Sequence, residues 1–117
     1  MLAVGEHVLG DLSSECARMA TGLAGGVGGT QQEMCGALSG GVLVIGGLFG
    51  RQSLDEDDQA AMHLAARYRQ RFLAEFGYTQ CVQLREKVIY APGGPGSCAA
   101  LVERAAMILL QVLHKAG

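Results

Sequence analysis

The chain has 117 residues and a net charge of −2; half of it is hydrophobic, 5% is aromatic and there is no Trp. That length suits one domain and is too short for two ordinary ones. No basic stripe points to nucleic acid, and no Lys/Arg-rich helix face would draw the chain to an anionic membrane. With few aromatic residues the core must come from Leu, Val, Ile, Ala and Met, and the 18 Gly allow close approach between packed helices.

Met1 to Gly10 reads as a helix already under way: Leu2, Val4, Val8 and Leu9 are apolar and no N-cap precedes them. Gly10 stops it, and Asp11 or Ser13 caps a second helix to about Leu23. Gly25–Thr30 is a glycine loop, since each Gly costs about 1 kcal/mol relative to Ala inside a helix. A core helix follows from about Gln32 to Phe49. No charged residue occurs between Met34 and Gly50, but the stretch falls short of the roughly 20 residues a membrane span needs. Its Gly36-x-x-x-Gly40 pattern also suits close packing in a soluble bundle.

Ser53-Leu-Asp-Glu56 has the form of a capping box and predicts the next helix start. Asp55, Glu56, Asp57 and Asp58 would then crowd the first turn, with Arg67, Arg69 and Arg71 further along, as the helix dipole favours. Ala61, Leu64, Ala65, Tyr68 and Phe72 form an apolar stripe at helical spacing, and Gly77 ends the helix. Thr79 can cap a short helix from Gln80 to about Ile89. Pro92–Gly96 is a break, and Ser97 can cap a last helix over about Cys98–Lys115, with Leu101, Ala105, Ile108, Leu109 and Val112 inside. Strand patterns, repeats and linkers are absent. The expected fold is all-α: one domain over residues 1–117, a compact bundle of five to six helices around a glycine-rich core helix.

The cysteines are at positions 16, 35, 81 and 98. No signal peptide precedes them, so a cytoplasmic setting fits, where cysteines serve as metal ligands, redox centres or core residues. Cys35, Cys81 and Cys98 all fall in the first turn of a predicted helix, where unpaired N–H groups and the positive dipole end stabilise a thiolate. Cys16 lies within a helix without such a setting. The loop Gly25–Gly29 lacks both the G-x-G-x-x-G pattern and a phosphate-loop ending. Its bare backbone would instead let the chain close round Cys35 and whatever it binds, making Gly28, Gly29, Gly36 and Gly40 candidate cofactor-contacting positions. His7, His63 and His114 are isolated. Asp55–Asp58 reads as a solvated helix start, and Tyr78 and Tyr90 as packing residues. No Ser/His/Asp or paired-carboxylate arrangement stands out.

Met19-Ala-Thr-Gly-Leu-Ala-Gly-Gly-Val-Gly28 and Glu33-Met-Cys-Gly-Ala-Leu-Ser-Gly-Gly41, with Cys81 after Phe76-Gly77 and Cys98 opening the last helix, resemble the redox-active family named for its C_GCAxxG_C_C cysteine pattern. Cys35-Gly-Ala-x-x-Gly40 matches the central motif, and Cys81 and Cys98 match the third and fourth cysteines. The first family cysteine has no counterpart: the helix expected to follow it is under way at residue 1, and Cys16 is too close to the glycine loop to replace it. The family is helical and prokaryotic, and a related domain accompanies a multihaem cytochrome associated with iron–sulfur binding. The resemblance therefore implies an iron–sulfur cluster or other metal on Cys35, Cys81 and Cys98, used for electron transfer with an unidentified redox partner. No C-x-x-C-H motif supports covalent haem. A cycling cysteine pair and a non-catalytic module, with a homo-oligomer as one form, are the alternatives.

Overall fold

The computed structural model describes residues 2–116 as six α-helices: α1 (Leu2–Leu9), α2 (Ser14–Ala20), α3 (Gly36–Phe49), α4 (Gln59–Phe76), α5 (Cys81–Leu84) and α6 (Cys98–Ala116). A 3₁₀ turn, Thr21–Leu23, extends α2, and a π turn, Arg85–Ile89, extends α5. The fold is all-α, and the isolated bridge Met34–Gln80 is the only β-type pairing among the described residues. None of their helices is long and apolar enough to cross a membrane.

The core sits where α3, α4 and α6 pack on one another, with α1 against the outer side of α3. The apolar stripe of α4 carries Leu64, Tyr68, Phe72 and Phe76 inward at four-residue spacing. Phe72 makes edge contacts with both Tyr68 and Phe76. From α6 come Leu101, Ala105, Ile108, Leu109 and Val112, all buried. Opposite them α3 presents Leu38, Val44 and Ile45. Tyr68 reaches into α3 and its hydroxyl donates to the Ala37 carbonyl at 3.0 Å. That approach needs a bare backbone at Gly41, where a Cβ would stand 2.8 Å from Tyr68 Cζ and 2.9 Å from its oxygen.

Local signals ended the helices as expected. Ser13 Oγ accepts from the Cys16 N–H at 3.2 Å, and Ser97 Oγ from the Ala100 N–H at 3.1 Å. Gly77 closes α4 with φ +81° and donates to the Leu73 carbonyl at 2.7 Å, the left-handed stop that favours glycine.

Three starts differ. The core helix begins at Gly36, not Gln32, because residues 31–34 are tied to residues 80–82: the Cys81 and Val82 N–H groups donate to Glu33 and Gln31 carbonyls, both at 2.9 Å. Helix α4 begins at Gln59, not at the Ser53 box. The Glu56 carboxylate accepts from the Gln52 N–H (3.4 Å), and Asp57 takes the Gln59 N–H (2.9 Å), so the acidic run forms turns ahead of the helix. Thr79 does not cap α5; its carbonyl accepts from the Cys35 N–H at 2.8 Å. The helix expected over Gln80–Ile89 is one α-turn followed by a π turn.

Candidate functional site: a three-cysteine cluster

All three cysteines singled out in the sequence stand at helix starts: Cys35 is the N-cap of α3, while Cys81 and Cys98 are the first residues of α5 and α6. Cys35 and Cys81 are joined by the Met34–Gln80 bridge. Its hydrogen bonds run from the Cys35 N–H to Thr79 and from the Cys81 N–H to Glu33. The Gln80 side-chain amide adds a third tie, donating to the Gln32 carbonyl at 2.7 Å. In that antiparallel register Cys35 faces Thr79, so Cys81 is its diagonal neighbour on the same face. Diagonal neighbours in a ladder lie about 7–8 Å apart.

Cys35 is half-buried, Cys81 buried at 7% exposure, and Cys98 exposed; all are free thiols. Burial pushes the Cys35 thiol above its ordinary value, and negative charge on Cys81 and then on Cys98 pushes it further. The Ala37 and Leu38 N–H groups at the start of α3 pull the other way without prevailing. A helix start was expected to favour the Cys35 thiolate; desolvation outweighs it. The same cluster extends to Tyr68, whose phenol is raised by burial and by the Cys35 charge. The Cys35 thiol therefore senses charge on two cysteines distant in sequence.

The profile of a family described as "Putative redox-active protein (C_GCAxxG_C_C)" matches residues 1–112. The chain belongs to this family. No curated protein and no solved structure matches it.

Of the family's cysteine pattern, the bridge sets Cys81 on the same face as Cys35, and Arg85 of the turn after α5 reaches Cys98. Cys16 lies apart, exposed on α2 at an apolar cavity lined also by Leu9, Leu12, Met19 and Leu43. His7 and His114 share a groove between α1 and α6, and His63 lines a shallow pocket with Arg67 and Arg69. The described residues contain no group of three or more His, Cys, Asp or Glu arranged to hold a metal ion.

The glycine loop does enclose the site, but against Cys81. Residues 25–29 all have φ between +61° and +73°, a left-handed run that costs non-glycine residues about 1–2 kcal/mol each. Val27 is the one non-glycine in it. Gly26 is pressed into the cluster, where a Cβ would lie 2.7 Å from Cys81 Cβ. Gly28 and Gly29 face open space, Gly36 rests near the Leu23 carbonyl, and Gly40 is buried within α3.

Sequence reasoning missed Gly26 and Arg85. No signal separates Gly26 from its neighbouring glycines. Arg85 Nη1 donates to Cys98 Sγ at 3.7 Å across thirteen residues, a contact no local spacing signals.

The raised Cys35 value has a sign that can be tested. A thiol that ionises less readily folded than unfolded adds stability that is complete below the unfolded value, about 8.5. That stability is lost as pH rises through the folded value. Denaturant melts from pH 7 upward are expected to show it, with Cys35→Ala abolishing the part that begins near the unfolded thiol value. The later, more alkaline loss from Tyr68 should remain. An unchanged slope in Cys35→Ala would count against a buried, charge-coupled Cys35.

Proposed function

We propose that the protein carries out thiol–disulfide redox chemistry, with Cys98 as the first sulfur to react and Cys35 as the one that resolves the intermediate. The observation that carries this reading is the exposed Cys98 sulfur with the Arg85 guanidinium on it, and negative charge there raises the Cys35 thiol. Cys98 is the exposed member and has a guanidinium donor at its sulfur, the kind of neighbour that promotes attack by sulfur. Cys35 is half-buried and its thiol is raised by that burial, so it reacts after the exposed Cys98.

In the balanced sequence the Cys98 thiolate attacks one sulfur of a substrate disulfide, and the other sulfur leaves as a thiolate that takes a proton from solvent. Cys35 then loses its proton and attacks Cys98 Sγ. This forms the Cys35–Cys98 disulfide and releases the second substrate thiol. Two protein thiols are oxidised and one disulfide is reduced. Closing that bond needs the two Cα atoms within about 7 Å. Four free thiols suit a reducing compartment such as the cytoplasm, and residues 1–117 act as one domain in this reading.

An iron–sulfur cluster for electron transfer is the other reading of the family pattern. Such a cluster takes four ligands. The cysteine set here supplies three, one of them walled in by Gly26, and no ligand-type group of three is formed among the described residues. The family is compatible with a metal or cluster, but these three cysteines alone do not complete a cluster's ligand set.

Oxidised glutathione followed by thiol counting and mass mapping tests the proposal. Apart from any glutathione adduct on the exposed Cys16, two thiols should disappear, with Cys35 and Cys98 in one disulfide. Cys98→Ser should retain Cys35 and Cys81 as thiols, and Cys35→Ser should stop at a glutathione adduct on Cys98. Cys35, Cys81 and Cys98 all remaining unreacted would overturn it, as would a visible band bound stoichiometrically through the three cysteines after anaerobic treatment with iron and sulfide.

A further inference from the structure

We infer that the substrate disulfide is an anionic one, selected by Arg85; this rests on Cys98 being the reacting sulfur. Arg85 is half-buried, and its guanidinium touches Cys98 Sγ. It also lies over the Tyr90 ring, 5.8 Å from the centroid, a stacking that holds the planar group in one orientation. Tyr90 is itself 59% exposed, so this face is open to a ligand.

The backbone sets the pair. Arg85 opens the π turn, and the Tyr90 N–H donates to its carbonyl at 3.2 Å. Single π turns often occur at functional sites. The chain then folds back on that turn: Gly94 packs against the Val88 carbonyl, and the Gly96 N–H donates to the Ile89 carbonyl at 2.8 Å. This return delivers Cys98 to Arg85. The glycine at 94 is required because a side chain there would occupy the carbonyl's position.

Among the described residues no carboxylate pairs with Arg85. The ion pair among the described residues joins Arg51 to Asp58 at 3.6 Å, in the turn before α4. An oriented guanidinium beside a reactive sulfur, with no acidic partner, offers two functions. It stabilises the sulfur that attacks, and it can accept a carboxylate carried a few bonds from the substrate's sulfur, in the fork geometry that suits carboxylates. The overall charge of −2 disfavours anions generally, so selection for them must be local to this site. The fitting substrate class is a small disulfide with a carboxylate near each sulfur.

Three aliphatic disulfides that differ chiefly in charge test this: dithiodipropionate (anionic), hydroxyethyl disulfide (neutral) and cystamine (cationic). Adduct formation is followed by mass mapping at Cys98, with the exposed Cys16 as reference inside the same molecule. The ratio of anionic to cationic rate should be at least about fivefold higher at Cys98 than at Cys16, the scale of one charge contact at about 4 Å in water. Added salt should compress it. Arg85→Gln should bring the Cys98 ratio down to that of Cys16, and Arg85→Lys should restore most of it. A ratio unchanged in Arg85→Gln, or equal at the two cysteines in the native sequence, would overturn the inference. Because the ratio is read from first adducts, it is independent of whether Cys35 then closes a disulfide. Failure of pairing and failure of charge selection are therefore separate results.

Discussion

Gly41→Val is expected to lower unfolding stability by about 3 kcal/mol, at the upper end of the usual cost of overpacking a well-packed core. A Cβ at this position would meet the Tyr68 ring carbon Cζ at 2.8 Å and its oxygen at 2.9 Å. Tyr68 cannot swing away at low cost: it is 1% exposed, packs edge-on against Phe72, and its hydroxyl is held by the Ala37 carbonyl. Two responses remain, both expensive. Either α4 backs off α3 and opens the core, or Tyr68 leaves and its phenol loses its partner. The control lies five residues further on in the same helix: Gly46 has open space around it and no positive φ. Gly46→Ala should therefore stabilise, by up to about 1 kcal/mol, because Ala is the better helix former. Urea midpoints of both variants decide the matter. Equal shifts in the two would mean that the Gly41–Tyr68 contact does not govern how α3 meets α4.

Gly26→Ala should cost about 2–3 kcal/mol and should also expose Cys81 to alkylation. Two effects add. The backbone φ of +68° penalises any side chain. The new Cβ would also lie 2.7 Å from Cys81 Cβ, 2.9 Å from Gln31 Cα and 3.0 Å from the Glu33 carbonyl oxygen. Most of these neighbours are backbone and cannot rotate aside. Gln31 and Glu33 are also the residues whose carbonyls accept from Val82 and Cys81, so displacing them loosens the bridge that sets Cys81 beside Cys35. Gly28 has nearly the same φ, +62°, but open space. Gly28→Ala should lose only the backbone penalty, about 1–2 kcal/mol, and leave Cys81 protected. Native-state alkylation with mass mapping separates the two variants. If Cys81 stays protected in Gly26→Ala, the loop does not wall in the site.

These contrasts show where sequence reasoning stops. Gly26, Gly28, Gly41 and Gly46 are alike as letters, and a glycine-rich loop and helix could be read from them. Which glycine is packed against a tyrosine or a cysteine depends on the partner that arrives from a distant segment. The Ser53-x-x-Glu56 pattern failed for a related reason. Its residues found local alternatives, with Glu56 bonding to Gln52 and Asp57 to Gln59, and no tertiary contact favoured an earlier start. The start of α3 moved for the opposite reason: the pairing of residues 31–35 with 79–82 took backbone groups that a longer helix would have used.

The sequence by itself determined that this protein is helical and that its cysteines stand at helix starts. Apolar spacing along α4 and α6, the Ser13 and Ser97 caps and the Gly10 and Gly77 stops are short-range effects written in neighbouring residues. It also carried the family pattern in Cys35-Gly-Ala-x-x-Gly40, Cys81 and Cys98. Only the tertiary structure decided that burial outweighs the helix start at Cys35, that Gly26 walls in Cys81, and that Arg85 reaches Cys98. Desolvation, steric closure and charge contact depend on which distant segments meet. Here one isolated bridge and one π turn make those meetings.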